Sequence, residues 1–315
     1  MNVAIVGAGG VGGYFGGRLA QAGEDVVFIA RGEHLRALQR KGLRVDSING
    51  DFRVDRVLAT DDPATVGEVD YILVAVKSWQ LNEAIETMRP MVGKKTSIVP
   101  LLNGVEAPDQ LSRVFGAERV LGGLCSVISM IAGPGHVRHA GAHPSIKFGE
   151  LDHRRSERGE RLRNAFSRTE GVQVEVPEDI HVAMWNKYMA IAPWGGVGAV
   201  TRAPIGVIRS LPETRALLEH AMEEIYLLAR ARKVAMEREA IDQAMAFIDA
   251  LPYEGTASMQ RDIMAGRPSE LDAQNGTVVR LGKEAGVATP VNGMIYSSLL
   301  PQEMQARKQR KFNAG

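Results

Sequence analysis

The chain has 315 residues, 45% hydrophobic and 24% charged, with 38 basic side chains against 37 acidic ones and a formal charge of +1. That length accommodates two domains. The charge balance speaks against a nucleic-acid partner, which would be met by a concentrated basic face. With Cys125 the only cysteine, neither an intrachain disulfide framework nor a clustered thiolate metal site can be built. His136, His139 and His143 are close in sequence but lie in Gly/Pro-rich surroundings without a clear ligand geometry, so no metal is expected. No apolar run of about 20 residues is present to span a membrane. The chain enters strand-like sequence at Val3 and is expected to carry no leader, which favours a cytoplasmic location. The basic side chains Arg307, Lys308, Arg310 and Lys311 read as a solvated tail.

Residues 2–6, NVAIV, predict a buried strand that runs straight into Gly7-Ala8-Gly9-Gly10-Val11-Gly12 and the helical pattern YFGGRLAQAG. A second strand, DVVFIA, ends at Ala30. Strand, glycine turn, helix, strand is the context in which GxGxxG marks a dinucleotide site. Gly7 allows the tight turn, Gly9 lets the main chain approach a pyrophosphate, and Gly12 lets the helix pack closely on the sheet. The free N–H groups at the helix start then face the phosphates. FAD sites share this fingerprint. At the end of the second strand, an NAD site commonly carries an acidic residue for the ribose diol, but here Arg31-Gly32 follows. Arg31 suits a 2′-phosphate and can stack on adenine, so NADPH is favoured, although a surface arginine at a strand end has the same sequence.

Asp70–Val76 reads as a central strand ending at Lys77, and Thr96–Leu102 as another leading into Asn103-Gly104. Loops at such strand ends line a cofactor crevice. Lys77 is thus a candidate for the cofactor and Asn103 for the nicotinamide ribose or the substrate, unless each only closes its strand. Val120–Met130 and the segment through Phe148 have strand character. Residues 152–166 fit a solvated helix, and residues 172–176, VQVEV, a strand closing the sheet. These elements place an α/β Rossmann-type domain over residues 1–178 and an all-helical domain over 179–315. The latter has predicted helices at 180–192, 213–231, 236–250, 256–265 and 269–285. Residues 195–200, GGVGAV, interrupt the first of these, and Pro204 restricts the connection that follows. Trp79, Trp185 and Trp194 read as packing residues. Lys187 and Glu270 sit on predicted helices, where a solvent-facing lysine and a helix-stabilising acid are ordinary. Pro268 and Ser269 mark the helix start beside Glu270.

The ordered set GAGGVGGYFGGRLAQAG, ARG, VAVKSWQ, PLLNGV, WNKYMA and ASMQRDIMAGRPSELDAQNGTVVRLGKEAGVATPVN resembles the ketopantoate reductase family (2-dehydropantoate 2-reductases) over almost the whole chain. The resemblance implies a Rossmann domain followed by an all-helical domain, with the active site in the cleft between them. The implied reaction is NADPH-dependent reduction of 2-dehydropantoate to pantoate, a step of pantothenate biosynthesis. It makes Lys187 the catalytic lysine, Glu270 the catalytic carboxylate, and Asn103 and Ser258 substrate-binding residues. On the cofactor side it puts Gly7, Ala8, Gly9, Gly10, Val11, Gly12, Arg31 and Lys77, joined by Asn103 and Glu270. The chain departs from the pattern at Ile191, Gly195 and Gly255, where family members carry asparagines, and near Ile205. Loss of those amides weakens or redirects recognition of a compact hydroxy acid. A paralogous reductase of another 2-oxo acid, an opine-type reductase and a non-catalytic NADPH sensor are therefore the alternatives. The helical domain allows a homodimer.

Overall fold

The computed structural model describes residues 1–141 and 143–308. Arg310 and Lys311 of the expected basic tail lie outside them. The chain forms two units, one of Met1–Leu102 with Glu106–Ile180, the other of Asn103–Val105 with the residues from His181 onward.

The first unit holds, in chain order, β1 (Asn2–Val6), α1 (Gly10–Gln21), β2 (Asp25–Ile29), α2 (Gly32–Lys41), β3 (Leu43–Ser47), β4 (Phe52–Val54) and β5 (Leu58–Thr60). It continues with β6 (Tyr71–Val74), α3 (Leu81–Met88), β7 (Ser97–Pro100), α4 (Ala107–Phe115), β8 (Leu121–Ser126), β9 (Ser129–Gly133), β10 (His136–His139), β11 (Ser145–Glu150), α5 (Glu157–Ser167) and β12 (Gln173–Glu175). Five strands form a parallel sheet in the order β5-β2-β1-β6-β7. Because side chains alternate along a strand, Val3 and Ile5 join one core with Phe15, Leu19 and Phe28. Ala4 and Val6 join the other, with Ile72, Leu81 and Met88. A strand covered on both faces has no polar side, which is why Val3–Val6 form an unbroken apolar run after the exposed Asn2. The strand order reverses at β1, and the crevice of such a sheet opens at the carboxyl ends of the strands there.

Two smaller sheets complete the unit, β4-β3-β10-β9 and β12-β11-β8. The expected closing strand at 172–176 is β12, but it pairs with β11 in the three-stranded sheet and not with the parallel one. The expected solvated helix at 152–166 begins only at Glu157, capped by Ser156 Oγ accepting from Gly159 N at 3.1 Å. Leu162, Ala165 and Phe166 bury one face of it, so it is amphipathic.

The second unit is helical: α6 (Ile180–Thr201, whose first residue belongs to the other unit), α7 (Ile205–Ser210), α8 (Pro212–Ala231), α9 (Glu239–Ala250), α10 (Ser258–Met264), a π-helical turn (Asp272–Gly276), α11 (Thr277–Ala285) and α12 (Pro290–Ala306). The last helix was not expected from the sequence. A Rossmann-type domain followed by a largely helical one is the expected fold class. The GGVGAV stretch, expected to interrupt a helix, lies inside α6, which continues through Pro193. The cause is packing. A β-carbon at Gly196 would lie 2.7 Å from Ile295 and 2.9 Å from the Asn275 amide, and one at Gly198 2.5 Å from Gln260 Oε1. These glycines admit close neighbours, and the tertiary gain overrides the ~1 kcal/mol propensity penalty of each. No helix among the described residues is long and apolar enough to cross a membrane.

Candidate active site

The glycine loop has the geometry its spacing predicts. Gly7 takes φ +98°, in the left-handed region, and a β-carbon there would meet Val76 and the Ala75 backbone at 2.8–2.9 Å. At Gly12 a β-carbon would come within 2.0 Å of Gly7 O, so only glycine lets α1 start this close to β1. Gly10 is pressed onto Ser129 O of β9, whereas Gly9 has open space where its side chain would be. Ala8 is buried and Val11 half-buried. Helix α1 begins at Gly10 with no side-chain cap and no acidic residue in its first turn. Its first N–H groups therefore offer an uncontested anion site, and the open face at Gly9 admits a pyrophosphate. These residues fit a dinucleotide.

Arg31 directly follows β2 and Ala30 as the N-cap of α2, and Gly32 turns the chain at φ +59°. Its guanidinium is 62% exposed and paired with the 55% exposed Glu83. Such a surface pair contributes about 0–1 kcal/mol and exchanges readily for a phosphate. Lys77 follows β6 by three residues, half-buried, with its Nζ 5.7 Å from the Trp79 ring centroid. The three nearby histidines are otherwise engaged or apart: His136 pairs with Asp46, His139 with Ser47, and His143 is exposed.

In the helical unit, three residues far apart in sequence are joined. Lys187 Nζ on α6 donates to Asn103 Oδ1 at 2.9 Å, and Asn103 Nδ2 donates to Glu270 Oε2 at 2.8 Å. An ammonium only donates and a carboxylate only accepts, so the two charges fix which way the amide is turned. Glu270 is 3% exposed, while Lys187 and Asn103 are half-buried. The bridge links a cation to a buried anion through a neutral amide. Gly104 makes it possible: at φ +98°, a β-carbon there would lie 2.8 Å from Ala273 O, beside Glu270.

Several supporting residues gave no signal in the sequence. Ser269 N donates to Glu303 at 3.0 and 3.1 Å, Arg307 pairs with Glu303, and Arg307 Nη2 donates to Ser269 O at 2.8 Å. The residue preceding Glu270 is thus clamped to α12. Arg307, expected in a solvated tail, is instead 17% exposed and held by Glu303 and Ser269. Ser269 Oγ does accept from Leu271 N at 3.2 Å, as a cap would. Tyr188, next to the lysine, donates from its hydroxyl to Gln274 O at 2.5 Å. Ser258 is exposed at the first residue of α10 and stands outside the Lys187–Asn103–Glu270 chain. Trp185 is buried against Tyr188, and Trp194 packs edge-on to Phe247. A π-helical turn directly after Glu270 is a further feature common at functional sites.

Known proteins share this arrangement of motifs. Residues 3–153 match the family "Ketopantoate reductase PanE/ApbA", and residues 179–303 match "Ketopantoate reductase PanE/ApbA C terminal". An "uncharacterized oxidoreductase YkpB" of Bacillus subtilis is 32% identical over 97% of this chain and 100% of its own. A 2-dehydropantoate 2-reductase of a Nostoc species is 29% identical over 94% of this chain and 93% of its own. The crystal structure of 2-dehydropantoate 2-reductase from Geobacter metallireducens aligns with a TM-score of 0.89 at 34% identity, covering 96% of this chain and 99% of that one. The chain belongs to the ketopantoate reductase (PanE/ApbA) family and is an NAD(P)(H)-dependent oxidoreductase.

Proposed function

We propose that the protein reduces 2-dehydropantoate to pantoate with NADPH. The observation that carries this reading is the Lys187–Asn103–Glu270 chain, which holds one cation in place through a neutral amide anchored on a buried carboxylate. The family and the names of the 2-dehydropantoate 2-reductases among its relatives support the substrate.

The loop Gly7–Gly12 would hold the pyrophosphate, Arg31 and the first N–H groups of α2 the 2′-phosphate, and Lys77 a further part of the dinucleotide. When bound, NADPH supplies a hydride to the oxo carbon of the substrate. Lys187 polarises the oxo oxygen with an N–H bond and passes one proton to it as it gains charge. Asn103 positions the ammonium, and Glu270 supports its charge and is in line to bind a substrate hydroxyl. Ser258, exposed at the head of α10, anchors the carboxylate.

The departures at Ile191, Gly195 and Gly255 favour one competing reading, a different 2-oxo acid. Oxidation of NADPH is to be followed with 2-dehydropantoate and a panel of other 2-oxo acids, each with and without an amine. Highest kcat/KM on 2-dehydropantoate supports the proposal. Higher kcat/KM on another member reassigns the substrate, and an absolute need for an amine points to opine-type chemistry.

A further inference from the structure

Among the described residues of the helical unit, four buried side-chain polar atoms have no hydrogen-bond partner: Asn186 Oδ1, Trp194 Nε1, Gln274 Oε1 and Asn275 Oδ1. All four lie on α6 or on the π-helical turn after Glu270. Asn275 is partly used, since its Nδ2 donates to Asn292 Oδ1 at 2.9 Å. Gln274 is the sharper case. It is 2% exposed, its backbone is fixed by N–H donation to Glu270 O at 2.9 Å, and its carbonyl accepts from Tyr188. Its side-chain oxygen nevertheless meets no donor. A buried amide oxygen left unpaired carries its desolvation cost uncompensated, and an apolar side chain of similar size would avoid that cost.

The direction in which the amide points is informative. A β-carbon at Gly195 would lie 3.1 Å from Gln274 Oε1 and 3.0 Å from Met259 Cε. Gly195 is two four-residue steps along α6 from Lys187, and Met259 directly follows Ser258. The amide therefore enters space that the absence of a side chain at Gly195 leaves free, beside the segment that carries Ser258 and one turn after Glu270.

We infer that Gln274 is a specificity-determining residue, whose side-chain amide pairs with a hydroxyl on the substrate's side chain. The inference rests on the reductase reading above. A hydroxyl fits because it donates and accepts, as an amide does whichever way it is turned. A 2-oxo acid lacking that hydroxyl would bind with the amide still unpaired, so discrimination arises from the uncompensated partner.

The test compares wild type with Gln274→Leu and Gln274→Met on two substrates, 2-dehydropantoate and its deoxy counterpart 2-oxo-3,3-dimethylbutanoate, and measures the Tm of each free protein. The expected result is a roughly tenfold or larger fall in the kcat/KM ratio, hydroxylated over deoxy, in both variants, with a Tm no lower than wild type. That combination is foreign to a structural role, because an amide that stabilises the free protein lowers the Tm when it is removed. An unchanged ratio overturns the inference, and so does a lowered Tm in both variants. If the wild type reduces neither acid, the reductase reading on this substrate class fails on its own. The same ratio is then read from binding of the two corresponding 2-hydroxy acids by thermal shift. A fall in both variants supports the role of Gln274, and an unchanged ratio overturns it.

Discussion

Asn103 is a small neutral residue with a demanding position, since it must accept from an ammonium on one side and donate to a carboxylate on the other. Asn103→Ala leaves Glu270 buried without this donor and Lys187 without its guide. Misplacement of a catalytic group by about 1 Å costs on the order of 100-fold, so kcat should fall by about that factor in a steady-state assay. In the proposed reaction Arg31 serves the other substrate, NADPH. With only an exposed pair to Glu83 to give up, it should contribute a charge-assisted bond of about 1.5–3 kcal/mol to the 2′-phosphate. Titration of Arg31→Ala is expected to show NADPH binding weakened about tenfold or more and NADH binding changed less than about twofold. An equal loss for both would make Arg31 a stacking or structural residue.

At the scale of elements, the site depends on two close approaches. Gly104 has both a left-handed φ of +98° and a backbone oxygen 2.8 Å from where a β-carbon would stand. Gly104→Ala should lower stability by about 1–3 kcal/mol and reduce kcat as well, because Asn103 must shift. A drop in stability with kcat intact would separate the two. On the other side, α12 holds Ser269 through Glu303 and Arg307, whose side chains are 4% and 17% exposed. Glu303→Ala removes the buried acceptor of two Ser269 donors and the anionic partner of the half-buried Arg307. It should cost about 3 kcal/mol, visible as a Tm lower by roughly 6–12 °C.

The Rossmann unit has a comparable joint between β11 and α5, where Arg158 forks onto Glu150 at 2.6 and 2.5 Å. Burial pushes the Glu150 carboxyl up, but the hydrogen bonds from Arg158 and Ser156 outweigh it and hold the group below the usual carboxylate range. Since the folded state favours the ionised form, this joint contributes stability at neutral pH and loses it as pH falls through that depressed value. A Glu150→Gln variant should therefore show a flatter Tm-against-pH curve below about pH 4.5 than wild type. A curve of the same slope would mean that other carboxylates set the acid limb.

For the molecule as a whole, what could be read in the sequence was what is local. GAGGVG between a strand and a helix announced its turn because the turn itself is local, with Gly12 against Gly7 O. Arg31 was singled out the same way, from its place at the end of a strand. The meeting of Lys187, Asn103 and Glu270 was not, because these bonds span 84 and 167 positions and no periodicity reports such contacts. Family resemblance, not spacing, singled them out. Local rules misled where tertiary packing reversed them: the glycines of α6 looked like a helix stop, yet they are where Ile295, Asn275 and Gln260 pack against it. Gln274 and Glu303 were silent for a related reason, since a glutamine or glutamate in a polar helical stretch has no mark of burial until its neighbours are known.

If Lys187 delivers the proton while other residues hold the dinucleotide, Lys187→Ala must separate chemistry from cofactor binding. The kcat for 2-oxo acid reduction and the Kd for NADPH are to be measured side by side on that variant and wild type. The expected outcome is a fall in kcat of about 100-fold to 10,000-fold with Kd within about threefold of wild type. Equal turnover in the variant, or a loss explained wholly by weakened NADPH binding, would take the proton-donor role away from Lys187.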